Sequence, residues 1–259
     1  MYRLTLAAAT AAAVVLMSYA NTANAADTYP ARTRAQMDRL FDSVQVQPYN
    51  WTGFYVGGNV GYGRGQLRND DPYGIGDIGT KGWTIGATAG YNWQFARRWV
   101  IGLETDFNWA NIGGSQSRDL CPGCGSFSYV ETMDVKTPWF GTTRARLGFL
   151  PWQDLMVYAT GGVAYGKVNS TDTYAYSYTS WWGNYSGSST TSNSRFQVGW
   201  AAGAGAEYAI NRNWSAKVEY IHLDLGDTSN TYTCTGCTAQ TITTRARDDI
   251  VRAGLNYKF

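Results

Sequence analysis

The chain has 259 residues, of which 44% are hydrophobic, 15% aromatic (11 Trp, 19 Tyr, 9 Phe) and only 15% charged, with 30 glycines. So much aromatic content at so little charge excludes an intrinsically disordered chain, and the glycines exclude a coiled coil. A formal net charge of +2 provides no basic stripe for nucleic acid, and a single histidine, His222, removes most acid/base and metal chemistry. The composition points to a glycine- and aromatic-rich all-β protein.

Residues 1–25 read as a secretory signal. Arg3 is the lone charge of a short n-region, residues 4–17 are apolar, and Ala23-Asn24-Ala25 supplies a small-x-small cleavage pattern. The apolar run is shorter than the roughly 20 residues of a spanning helix. Residues 26–50 form a separate N-terminal segment, placed in the periplasm by export. Met37, Leu40, Phe41 and Val44 fall there at helical spacing, which suits a short amphipathic helix or a linker equally.

From Trp51 onward the pattern has period two. Trp83, Ile85, Ala87, Ala89, Tyr91, Trp93 and Phe95 alternate with Thr84, Gly86, Thr88, Gly90, Asn92 and Gln94 over thirteen residues. A soluble strand is usually about 5–6 residues, whereas a tilted membrane strand takes about 9–11. Comparable segments are read at about 51–65, 83–95, 99–110, 137–149, 155–168, 195–208, 214–226 and 249–259. The connections 96–98, 150–154 and 209–213 are short, while 66–82, 111–136, 169–194 and 227–248 are long. The expectation is an eight-stranded antiparallel transmembrane β-barrel over 51–259, with short periplasmic turns and four long extracellular loops. Trp51, Trp83, Trp99 and Trp214 stand at strand ends and are expected in an interfacial aromatic girdle.

Carrying the parity inward puts Glu104 and Asp106 on the third strand opposite Arg144 and Arg146 on the fourth. Glu207, Lys217, Glu219, Arg252 and Lys258 also point in, giving four acids against five bases. Unpaired buried charge costs several kcal/mol, so these groups must pair. An eight-strand lumen holds little beyond its own side chains. The interior is therefore expected to be plugged, a narrow water path through the network being the alternative.

The opening Trp51-Thr52-Gly53-Phe54-Tyr55-Val56-Gly57-Gly58-Asn59-Val60-Gly61-Tyr62 resembles the start of the small OmpA-like outer-membrane proteins of alphaproteobacteria, often described as porin-family or outer-membrane immunogenic proteins. Residues 199–208, 214–223 (around Val218-Glu219-Tyr220) and 251–259 extend the resemblance across the barrel. Arg252, Gly254, Tyr257 and Phe259 stand at the polar, glycine, hydrophobic and terminal aromatic positions of the signal read by the outer-membrane assembly machinery. The resemblance implies an outer-membrane barrel with exposed antigenic loops and a part in envelope integrity. Expected partners are outer-membrane lipid, lipopolysaccharide and that machinery. A narrow passive porin and, because some relatives have been associated with haemin binding, a haemin-binding surface protein are the alternatives. No cofactor or catalytic motif is carried over from the family.

Cys121-Pro122-Gly123-Cys124 and Cys234-Thr235-Gly236-Cys237 each flank a turn-forming pair. Export favours a local disulfide in each, with a shared four-thiolate zinc site or a redox pair as alternatives. His222 and Asp224 break the alternation among Ile221, Leu223 and Leu225, as a bulge or an exit from the membrane would. His222 is read as a rim histidine bonded to water or Asp224, or as a haemin ligand. A serine-hydrolase site would need a serine beside His222, and none can be placed there. Tyr174, Tyr176, Tyr178, Trp181, Trp182 and Tyr185 suit either a binding surface or a hairpin continued above the membrane.

Overall fold

The computed structural model describes residues 49–69, 76–232 and 240–259. The signal segment, the possible helix at 37–44 and the Cys234/Cys237 pair lie outside them. Eight strands follow in order: β1 (Gly53–Asn69), β2 (Ile78–Ala96), β3 (Trp99–Asp119), β4 (Phe127–Trp152), β5 (Leu155–Ser180), β6 (Gly183–Ala209), β7 (Trp214–Tyr232) and β8 (Gln240–Lys258). Each pairs antiparallel with the next, and β1 pairs with β8 to close a barrel. Closure satisfies the backbone without a free edge, the condition for crossing lipid with strands. Among the described residues no helix is long and apolar enough to cross a membrane.

The strands outrun the sequence reading chiefly at one end. The turns between Ala96 and Trp99, Trp152 and Leu155, and Ala209 and Trp214 are short. At the other end much of the expected loops is strand: residues 112–119 pair with 130–137, and β5–β6 zips up to Ser180↔Gly183. The third loop thus shrinks to Trp181 and Trp182, and Tyr174, Tyr176 and Tyr178 belong to the continued hairpin. Period two is hard to read on the β6 arm because nearly all of residues 183–195 are polar and exposed on both faces, so no hydrophobic contrast marks the strand. Among the described residues, β6–β7 pairing stops at Trp200↔Asp224 and β2–β3 pairing at Lys81↔Gly113. Above that level the ring divides into a β3–β6 ladder and a β7–β8–β1–β2 ladder.

Outward residues are apolar across the wall: Phe54, Val56 and Val60 on β1, Trp83 and Ile85 on β2, Leu103 and Trp109 on β3, and Val251 and Leu255 on β8 are all exposed. Such a surface is stable only against lipid. Trp83, Trp99 and Trp214 join it, but Trp51 does not. Trp51 is 1% exposed and folds across the turn-side mouth, its indole N–H donating to the Gln153 carbonyl at 3.1 Å. It packs in a cluster with Val100, Leu150, Met156, Tyr158 and Ala209, and Tyr49 meets it edge-on at 4.7 Å. The indole escapes the girdle because residues 49–51 precede the first strand and are free to turn inward.

Candidate functional site

Inside the barrel the parity gathers Glu104 and Asp106 (β3), Arg144 and Arg146 (β4), Glu207 (β6), Lys217 and Glu219 (β7) and Arg252 (β8), all buried. Register explains the meeting: Glu104 faces Arg144, Glu207 faces Lys217 and Glu219 faces Arg252 across adjacent strands. Glu104 is the hub. It lies 2.8 Å from Arg144 and from Lys217, 3.2 Å from Arg146 and 3.5 Å from Arg252. Arg144 also holds Asp106 at 3.0 Å and Glu219 at 2.9 Å, and Arg252 holds the same two at 2.9 and 2.7 Å. Arg146 reaches Glu207 at 2.7 Å.

The set is four acids and four bases, so its charge sums to zero. Lys258, counted inward from parity, stands outside it. Its ammonium lies 4.4 Å from the centre of the Tyr49 ring and donates to the Asn50 carbonyl, at the turn-side mouth.

Several members escaped the sequence reading because they are uncharged. The Tyr55 hydroxyl donates to Glu104 at 2.8 Å and accepts from Arg146 at 2.8 Å. Thr142 donates to Asp106, while Ser215 and Asn256 donate to Glu207. Parity alone would have found Tyr55, since it shares the inward face with Asn59. Its ring lies across Gly90, where a Cβ would stand 2.4 Å from the phenol oxygen, so only glycine leaves room.

Above the charges the lumen becomes apolar. Leu67, Ile78, Ile112, Phe140, Ile221, Leu223, Leu225 and Ile250 form one buried cluster there. This corrects the reading of β7: Ile221 and Leu223 do not mark a slip but face an apolar lumen. The irregularity lies further on, where the register breaks between Asp224 and Asp227 and Gly226 takes a positive φ of 80°. His222 remains on the outer wall, its Nδ1 2.7 Å from Asp249, which also accepts from the Tyr220 hydroxyl at 2.6 Å. The partner is thus Asp249 across the strand pair rather than Asp224.

Cys121 and Cys124 form a disulfide that caps the β3–β4 hairpin. Their sulfurs are thereby unavailable as a thiolate pair. Among the described residues no cluster of three or more His, Cys, Asp or Glu is arranged to hold a metal. At the chain end Gly254 leaves space between Gly58 and the Lys217 stem, Tyr257 stacks edge-on between Trp214 and Phe259, and the Phe259 N–H donates to Phe54 at 3.1 Å.

A closed antiparallel ring with an apolar outer wall and a neutralised polar lumen defines an integral β-barrel of the outer-membrane class. The chain belongs to the family described as "Outer membrane protein beta-barrel domain", whose pattern it matches over residues 40–259. It is 36% identical to the 31 kDa outer-membrane immunogenic protein of Brucella melitensis biotype 1, covering 95% of this chain and 98% of that one. It is 29% identical to the 25 kDa outer-membrane immunogenic protein of Brucella abortus biovar 1, over 83% of each chain. A 22 kDa outer membrane protein of Rhizobium leguminosarum bv. viciae is 27% identical over 68% of this chain and 64% of that one. The protein resides in the outer membrane.

Proposed function

We propose that the protein is a closed, non-conducting barrel that serves as a structural component of the outer membrane and displays its long hairpins as a surface antigen. The observation that carries this reading is the lumen. It is filled in succession by the Trp51 cluster, the neutral charge network and the apolar layer around Phe140 and Ile221. A water path would have to cross two apolar plugs as well as a buried set of ion pairs in which every carboxylate is held by a cation. The immunogenic names of the Brucella relatives support exposure of the hairpins at the cell surface. Its partners in this reading are outer-membrane lipid, lipopolysaccharide on the outer leaflet, and the assembly machinery that reads Phe259 and the strand before it.

We read no catalytic centre here. The single histidine shares Asp249 with Tyr220, and no serine completes that group among the described residues. The haemin reading gains no support from His222, whose Nδ1 is engaged by a carboxylate. The test is single-channel recording of the refolded protein in a planar bilayer, with folding confirmed by heat-shifted gel mobility. A silent, folded barrel is expected. Stable, reproducible conductance steps would overturn the reading in favour of a narrow pore.

A further inference from the structure

The outer wall changes character abruptly near the long-hairpin end. On β1 the lipid-facing series Phe54, Val56, Val60, Tyr62 is followed on the same face by Arg64, Gln66 and Arg68, all exposed. On β2, Lys81 follows Trp83 in the same way, and on β8 Asp249, Arg247 and Arg245 follow Val251. The last aromatics, Tyr62 and Trp83, are cross-strand partners with ring centres 5.1 Å apart. The first cations, Arg64 and Lys81, are the cross-strand partners immediately above them. A step of two residues along a strand is about 7 Å, so these charges stand at the level where acyl chains give way to headgroups.

Among the described residues the charges there are only partly matched. Arg247 is held by Asp224 at 2.9 Å, Arg245 by Asp227 at 2.9 Å, and His222 by Asp249. Among the described residues Arg64, Arg68 and Lys81 have no carboxylate within salt-bridge distance. The register also sets cation against cation, with Arg64 facing Lys81 and Arg68 facing Arg245, while Asp249, opposite Arg64 on β8, is already engaged by His222 and Tyr220. Like charges directly opposite on a sheet face destabilise it, and an anion from outside lying between them would relieve that repulsion. A groove of about 460 Å³ opens at this point, lined by Arg64, Arg68, His222, Arg245, Arg247 and Asp249. Guanidinium groups suit phosphate because their forked donors bind it bidentately.

We propose that the outer wall of β8, β1 and β2 above Tyr62 and Trp83 is a binding site for the phosphate groups of the outer-leaflet glycolipid, with Arg64, Arg68 and Lys81 as the principal donors. The site commits to a lipid-borne phosphate, because the same strands present apolar wall to acyl chains directly beneath it. The proposal rests on the lipopolysaccharide contact in the proposed function, and assigns that contact a place and a chemistry.

The test uses the refolded protein in phosphatidylcholine nanodiscs titrated with diphosphoryl lipid A, with its dephosphorylated form, and with inorganic phosphate as competitor. Arg64→Gln/Arg68→Gln is compared with Arg64→Lys/Arg68→Lys, each checked for heat-shifted mobility. Diphosphoryl lipid A should bind the wild type at least about tenfold more tightly than it binds the Gln double variant, with the Lys variant between. The dephosphorylated lipid should bind both alike, and millimolar phosphate should compete poorly. Equal affinity of wild type and Gln variant for diphosphoryl lipid A would overturn the site while leaving a lipid contact elsewhere on the wall. Indifference of the wild type to the lipid's phosphates would overturn it without recourse to any variant. Full competition by inorganic phosphate would make the groove a free-anion site and overturn the lipid assignment. A wild type that does not distinguish lipid A from phosphatidylcholine would remove both the site and the broader lipopolysaccharide reading.

Discussion

Arg252 and Arg247 belong to the same strand and face opposite sides of the wall. Arg252 is 1% exposed, and its guanidinium is divided between Glu219 and Asp106. Arg247 stands on the outside with a single carboxylate, Asp224, at 2.9 Å. The contrast extends to their neighbours. Inside, four acids and four bases form a closed set in which Glu104 touches every cation. Outside, Arg64 faces Lys81 and Arg68 faces Arg245, and the acid opposite Arg64 on β8, Asp249, is engaged by His222 and Tyr220. The charges of this network sum to zero among themselves, and their work is to fix how the strands meet. Charges left at the rim are incomplete, and incompleteness is what a ligand can use.

The sharpest way to break this comparison is Arg144→Met. The change leaves Glu104, Asp106 and Glu219 buried with one cation fewer, and removing one partner of a buried set costs on the order of 3–5 kcal/mol. Urea unfolding of the refolded barrel should show that loss, while Arg64→Gln on the outer wall should stay within about 0.5 kcal/mol. Unchanged stability in Arg144→Met would mean that the network is not structural. Glu104→Gln combined with Arg144→Met should recover part of the loss, since it removes a carboxylate along with its cation.

Trp51 tests the plug at the other mouth. A buried Trp→Ala change typically costs about 3 kcal/mol or more, and Trp51 would also forfeit its bond to Gln153. Trp99, on the lipid side against Phe149 at 5.3 Å, should lose no more than about 1 kcal/mol on the same substitution. Equal losses would return Trp51 to the girdle and leave the mouth unplugged. The outer wall itself can be graded by depth along β2. Ala89→Arg, in the middle of the apolar series, should cost about 2–4 kcal/mol, and Gly79→Arg, above the aromatic level, about 0–1 kcal/mol. A flat profile would show that the cation level is not the membrane boundary.

The ring, its strand order and the charged half of the lumen were legible in the sequence because each rests on contrast. On β2 an apolar residue and a small polar one alternate without a break, and a charge on the polar parity has nowhere to go but in. Contrast fails where both sides of a strand meet the same surroundings. Residues 183–194 are almost all polar on both faces and read as loop, although 169–180 and 183–194 pair residue by residue from Asn169↔Ser194 to Ser180↔Gly183. Ile221 and Leu223 are apolar inward while His222 between them stands outward, so the polarity is the reverse of the lower wall and reads as a slip. Trp51 misleads for another reason, since a residue just before a strand has no parity to obey. The rim cations were visible as residues, but only the register shows that they face one another.

The Cys121–Cys124 disulfide gives the smallest expected effect and separates two views of the extended hairpins. Closing so short a loop restricts the unfolded chain by about 2 kcal/mol at most. The ends of this loop are already joined, because Asp119 pairs with Val130 and the Leu120 N–H donates to the Tyr129 carbonyl at 2.8 Å. If the β3–β4 ladder persists above the membrane, Cys121→Ser/Cys124→Ser should lower global stability by about 1 kcal/mol or less. Hydrogen exchange should then show the amides of 127–135 protected in both proteins. Loss of that protection in the variant would mean that the disulfide, rather than the strand pairing, holds the hairpin together. The polar ladder would then owe its order to the cross-link, and the rigid display of surface epitopes would depend on an oxidising exterior.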